Sequence, residues 1–427
     1  MVMIPFALAA ITFAINAQST NVDFQSLLKR NNGTNNGGNN GAPRYAQVIR
    51  PSSFAVLDTV PPPTQANGST LFFPPGTDAD SLAAKPFLIY DDAFYDIIGS
   101  DPTLTLIAST DKDPLFHEAN TWYPPTDEMF FVQNAGAPDA GTGLAKSAVV
   151  EKISLAQAQQ IASQGNGTGQ VDVITVNSTV QVVNPNGGTN FRGKLVFAGE
   201  GQGDDVPSAL YLVDPVEPYE TKVILNNYCG RQFNSLNDVA VNPRNKELYF
   251  TDVTYGYLQD FRPAPGLQNQ VYRFNYDTGA VGVVADGFNM PNAGLTFSPD
   301  GKYAYVADTG TAAGFWGSNY TKPASLYRFD VTDDGLFENR VTFAFVHSGV
   351  PDGVHCDSKG NVYAGCGDGV HVWNPSGLLI GKIWVGSTSA NFQFAGQGRM
   401  VISAETKLYY ATLGAEGADI TSANYSG

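Results

Sequence analysis

Short runs of β-branched and aromatic residues alternate along this chain with turns rich in Gly, Asn, Asp and Pro, and six of these runs share one grammar. They read MFFVQNAG from Met129, LVFAGEG from Leu195, LYFTDVTYG from Leu248, YAYVADTG from Tyr303, NVYAGCG from Asn361 and KLYYATLG from Lys407. Each is an apolar strand-like run broken by Gly, and successive runs start roughly 46 to 66 residues apart. That interval accommodates a four-stranded antiparallel unit. One such unit cannot bury both of its faces, so the pattern predicts units stacked radially, each covering its neighbour: an all-β, six-bladed β-propeller. The turns NPRNKE from Asn242, SPDGK from Ser298, DSKGN from Asp357 and NPSG from Asn374 carry the residues that hairpins between blade strands require. A propeller gathers one loop from every blade around a central channel, which is where chemistry is expected.

Outside the repeats the pattern changes. Residues 1–17 are continuously apolar and end on the small Ala17, as a secretory signal peptide does, and are too short for a membrane anchor. Residues 18–44 contain the Asn/Gly tract NNGTNNGGNNGAP, whose composition predicts a disordered linker. The propeller domain is then expected over 45–427. It includes an N-terminal extension, 45–113, whose alternating stretch TLTLIAS from Thr103 predicts a strand that closes the ring by pairing into the last blade. Helical signal is confined to LAQAQQIAS at Leu155–Ser163, and a strand is expected over VDVITVN from Val171.

Charge and cysteine usage narrow the partners. A net charge of −16 with no Lys/Arg cluster argues against nucleic acid and against anionic membrane, both of which demand a basic patch. Export is consistent with N-glycosylation sequons at Asn32, Asn67, Asn166, Asn177, Asn319 and Asn424, so a secreted glycoprotein is expected. Cys229, Cys356 and Cys366 are three in number, leaving at least one unpaired. Cys356 and Cys366 read as buried small apolar residues rather than as a disulfide.

The candidate chemistry lies at the starts of the inner strands. Glu118 in HEANTW, Asn237 in LNDVAVNP, Asn292 in PNAGLTFSPDG and Asp352 in PDGVHCDSKG each precede an apolar run, so each first side chain is expected to point into the channel mouth. Two carboxylates and two amides, with no His or Cys at the same repeat position, form a hard-oxygen set suited to Ca²⁺ rather than Zn²⁺. Individually, such residues also cap turns.

The quartet, its order and its blade placement resemble the SMP-30/gluconolactonase/LRE-like family. More narrowly, FHEANTWYPPTDEMFFVQNAGAP, RQFNSLNDV and PDGVHCDSKGNVYAGCGDGVHVWNPSG resemble the secreted fungal lactonohydrolases. The resemblance covers roughly Phe116 to the end. It departs at Ala293, where the broader family runs Asn directly into Gly. It implies a six-bladed propeller that holds one Ca²⁺, or another divalent ion, on Glu118, Asn237, Asn292 and Asp352. It also implies hydrolysis of small-molecule lactones of the aldonolactone or pantoyl lactone kind, with Asp352 as general base. His117 and His355, close to the ligand positions, are further candidates for proton transfer. His347 and His371 read as structural residues within blade strands, and Asp252 and Asp308 as the ends of third strands. Tyr255 and Trp316 are candidate walls of a substrate pocket. Asn190, Asn391 and Gln393, which open the remaining blades, are candidates for contacts to substrate hydroxyls. Alternatives are a phosphotriesterase-like propeller hydrolase, a strictosidine-synthase-like propeller or a non-catalytic binding propeller, the last needing no axial carboxylates.

Overall fold

In the computed structural model, which describes residues 41–165, 167–289 and 294–418, the first five repeating runs become the second strands of blades 1–5, and the run from Lys407 becomes the third strand of blade 6 rather than its second. Blade 1 is built from Glu118–Tyr123, Glu128–Val132, Val150–Ser154 and Ile174–Thr175; blade 2 from Pro185–Phe191, Lys194–Gly199, Ala209–Val213 and Thr221–Leu225. Blade 3 comprises Leu236–Val241, Leu248–Asp252, Gln270–Phe274 and Val281–Ala285; blade 4, Leu295–Phe297, Tyr303–Asp308, Ser325–Val331 and Phe337–Phe345. Blade 5 runs Val354–Cys356, Val362–Cys366, Gly369–Trp373 and Leu379–Trp384, and blade 6 Asn391–Phe394, Gln397–Ala404 and Lys407–Glu416. The chain is a six-bladed β-propeller.

Ring closure is made by the N-terminal extension. Thr103–Ser109 pairs antiparallel with Lys407–Glu416 as the outer strand of blade 6, matching Thr103 to Thr412 and Ser109 to Lys407. The extension also widens blade 5, because Phe87–Ile89 pairs with the strand Leu379–Trp384 and Ala46–Val48 lies parallel to Phe87–Ile89. Two outer edges are thereby covered, which removes unpaired backbone donors and acceptors that would template aggregation.

The core is divided among the seams between blades. Phe130 and Val132 of blade 1 meet Phe197 and Tyr211 of blade 2. Blades 2 and 3 share Val196, Leu248, Phe250 and Tyr272, and Met129 and Phe131 pack across the closing seam against Val401, Tyr410 and Ile107. Each fully buried large side chain at such a seam contributes about 1.5–3 kcal/mol, so no blade is stable without the next. Leu155–Ser163 is a helix, capped by Ser154 Oγ accepting from Gln157 N, and its buried Leu155 and Ala158 join the closing seam.

Several local expectations are corrected. VDVITVN forms a strand only at Ile174–Thr175, because only Glu151 and Lys152 remain to pair with it. Asp252 and Asp308 end the second strands of their blades, not the third. His347 sits in the loop after Phe337–Phe345 rather than in a strand. Cys229, Cys356 and Cys366 are all free thiols, the latter two buried. Residues 1–40, and with them the apolar leader, most of the Asn/Gly tract and Asn32, lie outside the described residues, as do Asn166, Asn292 and Asn424.

Candidate active site in the central channel

All six inner strands run in the same sense, so their first residues meet at one mouth of the channel. Glu118 opens blade 1, Asn237 is the second residue of the inner strand of blade 3, and Asp352 lies two residues before that of blade 5. The pairing of inner to second strand shifts register at Glu118/Thr121, at Leu236/Val239 and at Pro185/Gly188. Each shift is a bulge that re-aims a side chain at the start of a strand. At Glu118 the bulge is marked by Ala119, whose φ is +54°.

The inner strands approach one another so closely that glycine is required beside the site. A Cβ on Gly294 would lie 2.1 Å from the Asp352 carbonyl oxygen, and one on Gly187 would lie 2.4 Å from that of Asn237. Glycines of blades 4 and 2 thus seat the functional residues of blades 5 and 3.

The donor set is buried and incompletely satisfied. Glu118 Oε2 accepts from Asn391 Nδ2 at 2.5 Å, but Glu118 Oε1 and Asn237 Oδ1 are buried oxygens with no hydrogen-bond partner among the described residues. Unpartnered buried acceptors of this kind are costly and require an explanation. Burial, then the charges of Asp352 and Asp238, push the Glu118 carboxyl well above the usual carboxylate range. Burial likewise raises Asp352 to about 6 and Asp238 to about 7. Three carboxyl groups desolvated together repel one another, and a hard cation would relieve both the repulsion and the missing partners. Among the described residues no three His, Cys, Asp or Glu side chains form a metal site by themselves, so any ion here depends on amide oxygens as well. The donors fit Ca²⁺ or Mg²⁺ rather than Zn²⁺.

Above this floor lies a ring of residues from the loops that follow the second strands. His117 Nδ1 is 2.9 Å from Glu405 Oε1, and the inner strand begins at Glu118, so His117 escapes strand alternation and shares the mouth with it. Tyr255 OH is bonded to Thr309 Oγ1 at 2.8 Å; burial, then the carboxylates Asp352, Glu200 and Asp308, raise the phenol's pKa. Glu200 is buried, accepts from Ser235 Oγ, and is lifted by burial to about 7. Sequence singled out neither Glu200 nor Glu405: each follows a second strand, but Glu200 lies near the end of its repeating run while Glu405 precedes the run from Lys407, so only the strand order aligns them.

Other candidates fall elsewhere. His355 faces the lower channel with Thr189, Asp238, Asn391 and Gln393, around a cavity of about 40 Å³, room for a few waters at most and none for a lactone ring. Its Nε2 meets Asn391 Oδ1 at 3.2 Å, and burial lowers its pKa to about 4. Asn391 therefore bridges Glu118 and His355 instead of facing a substrate, and Gln393 donates to the Asn120 carbonyl at 3.4 Å. Asn190 does not open blade 2: it is the sixth residue of its strand and donates to the Trp122 carbonyl near the opposite end of the channel. The bulge at Gly187 brings Asn186 to the mouth instead, where it donates to the Asn237 carbonyl at 3.3 Å. Trp316 is 64% exposed and packs against Tyr257, with ring centroids 5.5 Å apart, rather than walling a buried pocket.

Comparison with known proteins agrees with this architecture. The chain is 28% identical over 337 residues to a lactonohydrolase, oryL, of Aspergillus oryzae, an alignment covering 74% of this chain and 72% of that one. A second lactonohydrolase of the same organism, oryH, is 25% identical over 382 residues, covering 73% and 76%. Among solved structures, a gluconolactonase from Xanthomonas campestris superposes with a TM-score of 0.58 at 24% identity, over 77% of this chain and 94% of that one, a likeness of fold. The model of the SMP-30/Gluconolactonase/LRE-like region matches residues 157–406, from the helix of blade 1 to the rim residue Glu405 and its neighbour. With its propeller and the match over more than half its length, this chain belongs to the SMP-30/gluconolactonase/LRE-like family.

Proposed function

We propose that this chain is a secreted, Ca²⁺-dependent lactone hydrolase acting on aldonolactone- or pantoyl-lactone-like rings. The observation that carries the reading is the pair of buried, unpartnered oxygens, Glu118 Oε1 and Asn237 Oδ1, beside Asp352 at the channel mouth. Similarity to two lactonohydrolases supports the substrate class. Glu118, Asn237 and Asp352 would hold the ion, with Asn292 as the fourth ligand implied by the repeat. Once bound, a hard divalent cation supplies Lewis-acid polarisation of a carbonyl and stabilisation of developing negative charge.

The residues supply the rest. Tyr255, Thr309 and Glu200 line the mouth and orient the ring, and Asp352 and His117 stand where a proton must be taken from the attacking water. The water oxygen bonds to the carbonyl carbon, the ring C–O bond breaks, and the proton taken from water returns to the leaving ring oxygen. The product is an open-chain hydroxy acid. Asp352 is placed as ligand and base together; a contact to a cation would lower its pKa and weaken it as a base. Export is supported by the apolar residues 1–17 and by the exposure of the sequon residues Asn67, Asn177 and Asn319.

A panel of five- and six-membered lactones, assayed with and without EDTA and beside an organophosphate, tests the reading. Lactone opening that is lost with EDTA and restored by Ca²⁺ is expected, with about one Ca²⁺ per chain by elemental analysis. Glu118→Gln and Asn237→Ala should lose metal and activity together while circular dichroism is unchanged. Asp352→Asn should keep much of the metal and lose about 10²–10⁴ in rate, the usual worth of a positioned base. Stoichiometric Zn²⁺ without Ca²⁺, or cleavage of the organophosphate alone, would overturn it.

A further inference from the structure

One cluster at the mouth has no role in binding the ion. His117 Nδ1 lies 2.9 Å from Glu405 Oε1, and Asn134 Nδ2 lies 3.3 Å from Glu405 Oε2 and 3.2 Å from His117 Nδ1. The three come from opposite sides of the closing seam: His117 and Asn134 from blade 1, Glu405 from the turn joining the second and third strands of blade 6. Main-chain bonds pin them, with Phe116 N donating to the Glu405 carbonyl at 2.9 Å and His117 N to that of Val132 at 3.1 Å.

For the neutral ring, hydrogen-bond chemistry then leaves one arrangement; burial opposes the cationic ring, in which both nitrogens carry hydrogen, while Glu405, Asp352 and Glu200 favour it. A carboxylate only accepts, so the ring nitrogen facing Glu405 must carry the hydrogen. An amide nitrogen only donates, so Asn134 serves the second carboxylate oxygen and not the ring. Burial raises the Glu405 carboxyl, whereas the charge His117 carries when protonated and hydrogen bonds from His117 and Asn134 lower it, with a net shift below its usual range. His117 Nε2 has no hydrogen-bond partner among the described residues, and the side chain is 16% exposed.

Glu405 occupies a two-residue hairpin turn, Glu405–Thr406, with φ +60°.

We propose that Glu405 and Asn134 are positioning residues that lock the imidazole of His117 in its Nδ1–H tautomer and present Nε2 to the channel mouth as a hydrogen-bond acceptor for water or substrate. The role at the reacting centre rests on the lactone reading; the tautomer does not, and the two are measured separately. The chain has four histidines, so long-range ¹H–¹⁵N correlation spectra of the whole protein can be assigned with single His→Gln variants. His117 should show the Nδ1–H pattern in the wild type and lose it in Glu405→Ala. In lactone kinetics, Glu405→Ala should lower kcat by about 10–100-fold, the usual effect of removing a residue that orients a functional histidine, with KM within about two-fold and metal content unchanged. Glu405→Gln, which keeps an acceptor, should recover part of the loss, and Glu405→Ala in a His117→Gln background should cost nothing more. An Nε2–H pattern in the wild type, or additive losses in the double variant, would overturn the proposal. A protein that opens no lactone but shows the Nδ1–H pattern and its loss on Glu405→Ala keeps the positioning and removes the lactone reading.

Discussion

At the scale of single residues, the two channel histidines differ in what surrounds them. His117 has a carboxylate on one nitrogen, whereas His355 has only the Asn391 amide and the face of Phe392, with centroids 5.1 Å apart. With no anion to favour its charged form, burial lowers the pKa of His355 to about 4. The unfolded chain, with a His pKa near the ordinary 6.5, therefore takes up a proton that the folded one refuses. The stability contributed by neutral His355 is fully present above about pH 6.5 and is lost as pH falls towards 4, by about 3 kcal/mol for this group. Because Glu200, Asp238 and Asp252 are raised to about 7 by burial and act in the opposite sense, the measurement is a difference. Urea unfolding of the wild type and of His355→Gln at pH 7 and pH 4.5 should show the wild type losing more on acidification; parallel losses would contradict the assignment.

At the scale of elements, the inner strands act less as a hydrophobic layer than as a set of positioned first residues. Their spacing is enforced by glycine. Gly294 seats the Asp352 carbonyl so tightly that Gly294→Ala must displace one strand or the other, an overpacking that costs about 1–3 kcal/mol. Its larger effect should be on the site: metal content and rate fall while the dichroism spectrum persists. Gly282, in the outer strand of blade 3, has nothing within 4 Å of an added Cβ, and Gly282→Ala should leave both unchanged. Equal effects of the two substitutions would show that the seam does not hold Asp352 in place. A different device secures blade 5. There, buried Lys382 Nζ bonds Asp368 Oδ2 at 2.8 Å and His347 Nε2 at 2.9 Å, and Asp368 Oδ1 meets His371 Nε2 at 2.6 Å. This network joins the outer strand, the turn after the second strand and the loop that leads to Asp352.

At the scale of the whole molecule, closure by Thr103–Ser109 couples the first residues of the propeller to the last. The clasp also gives Ile107 and Ala108 to the seam between blades 6 and 1, beside Phe116 and only two residues from Glu118. A chain that begins after Ser109 exposes the long strand Lys407–Glu416 and strips blade 5 of its two added strands. It should be insoluble. Recovery of soluble protein with normal metal content from such a chain would show that closure is dispensable.

Much of this was legible without coordinates. Strand runs, glycine-bearing hairpins and the repeat interval are local properties, and they determined the propeller, its six blades and the closing role of Thr103–Ser109. The residue types at the inner-strand starts likewise selected Glu118, Asn237 and Asp352 as the oxygen donors to weigh, because chemistry restricts which side chains a hard cation accepts. What periodicity could not supply was orientation. The bulge at Gly187 turns Asn186 rather than Asn190 to the mouth, and a one-residue shift in register reverses the face of every side chain beyond it. Trp316 lies in a loop, where no repeat dictates direction. The His117–Glu405 pair spans 288 residues and the Glu118–Asn391 pair 273, contacts that exist only once the last blade is clasped to the first. Sequence therefore determined the units and the chemistry available to them, while ring closure and bulge geometry decided which side chains meet.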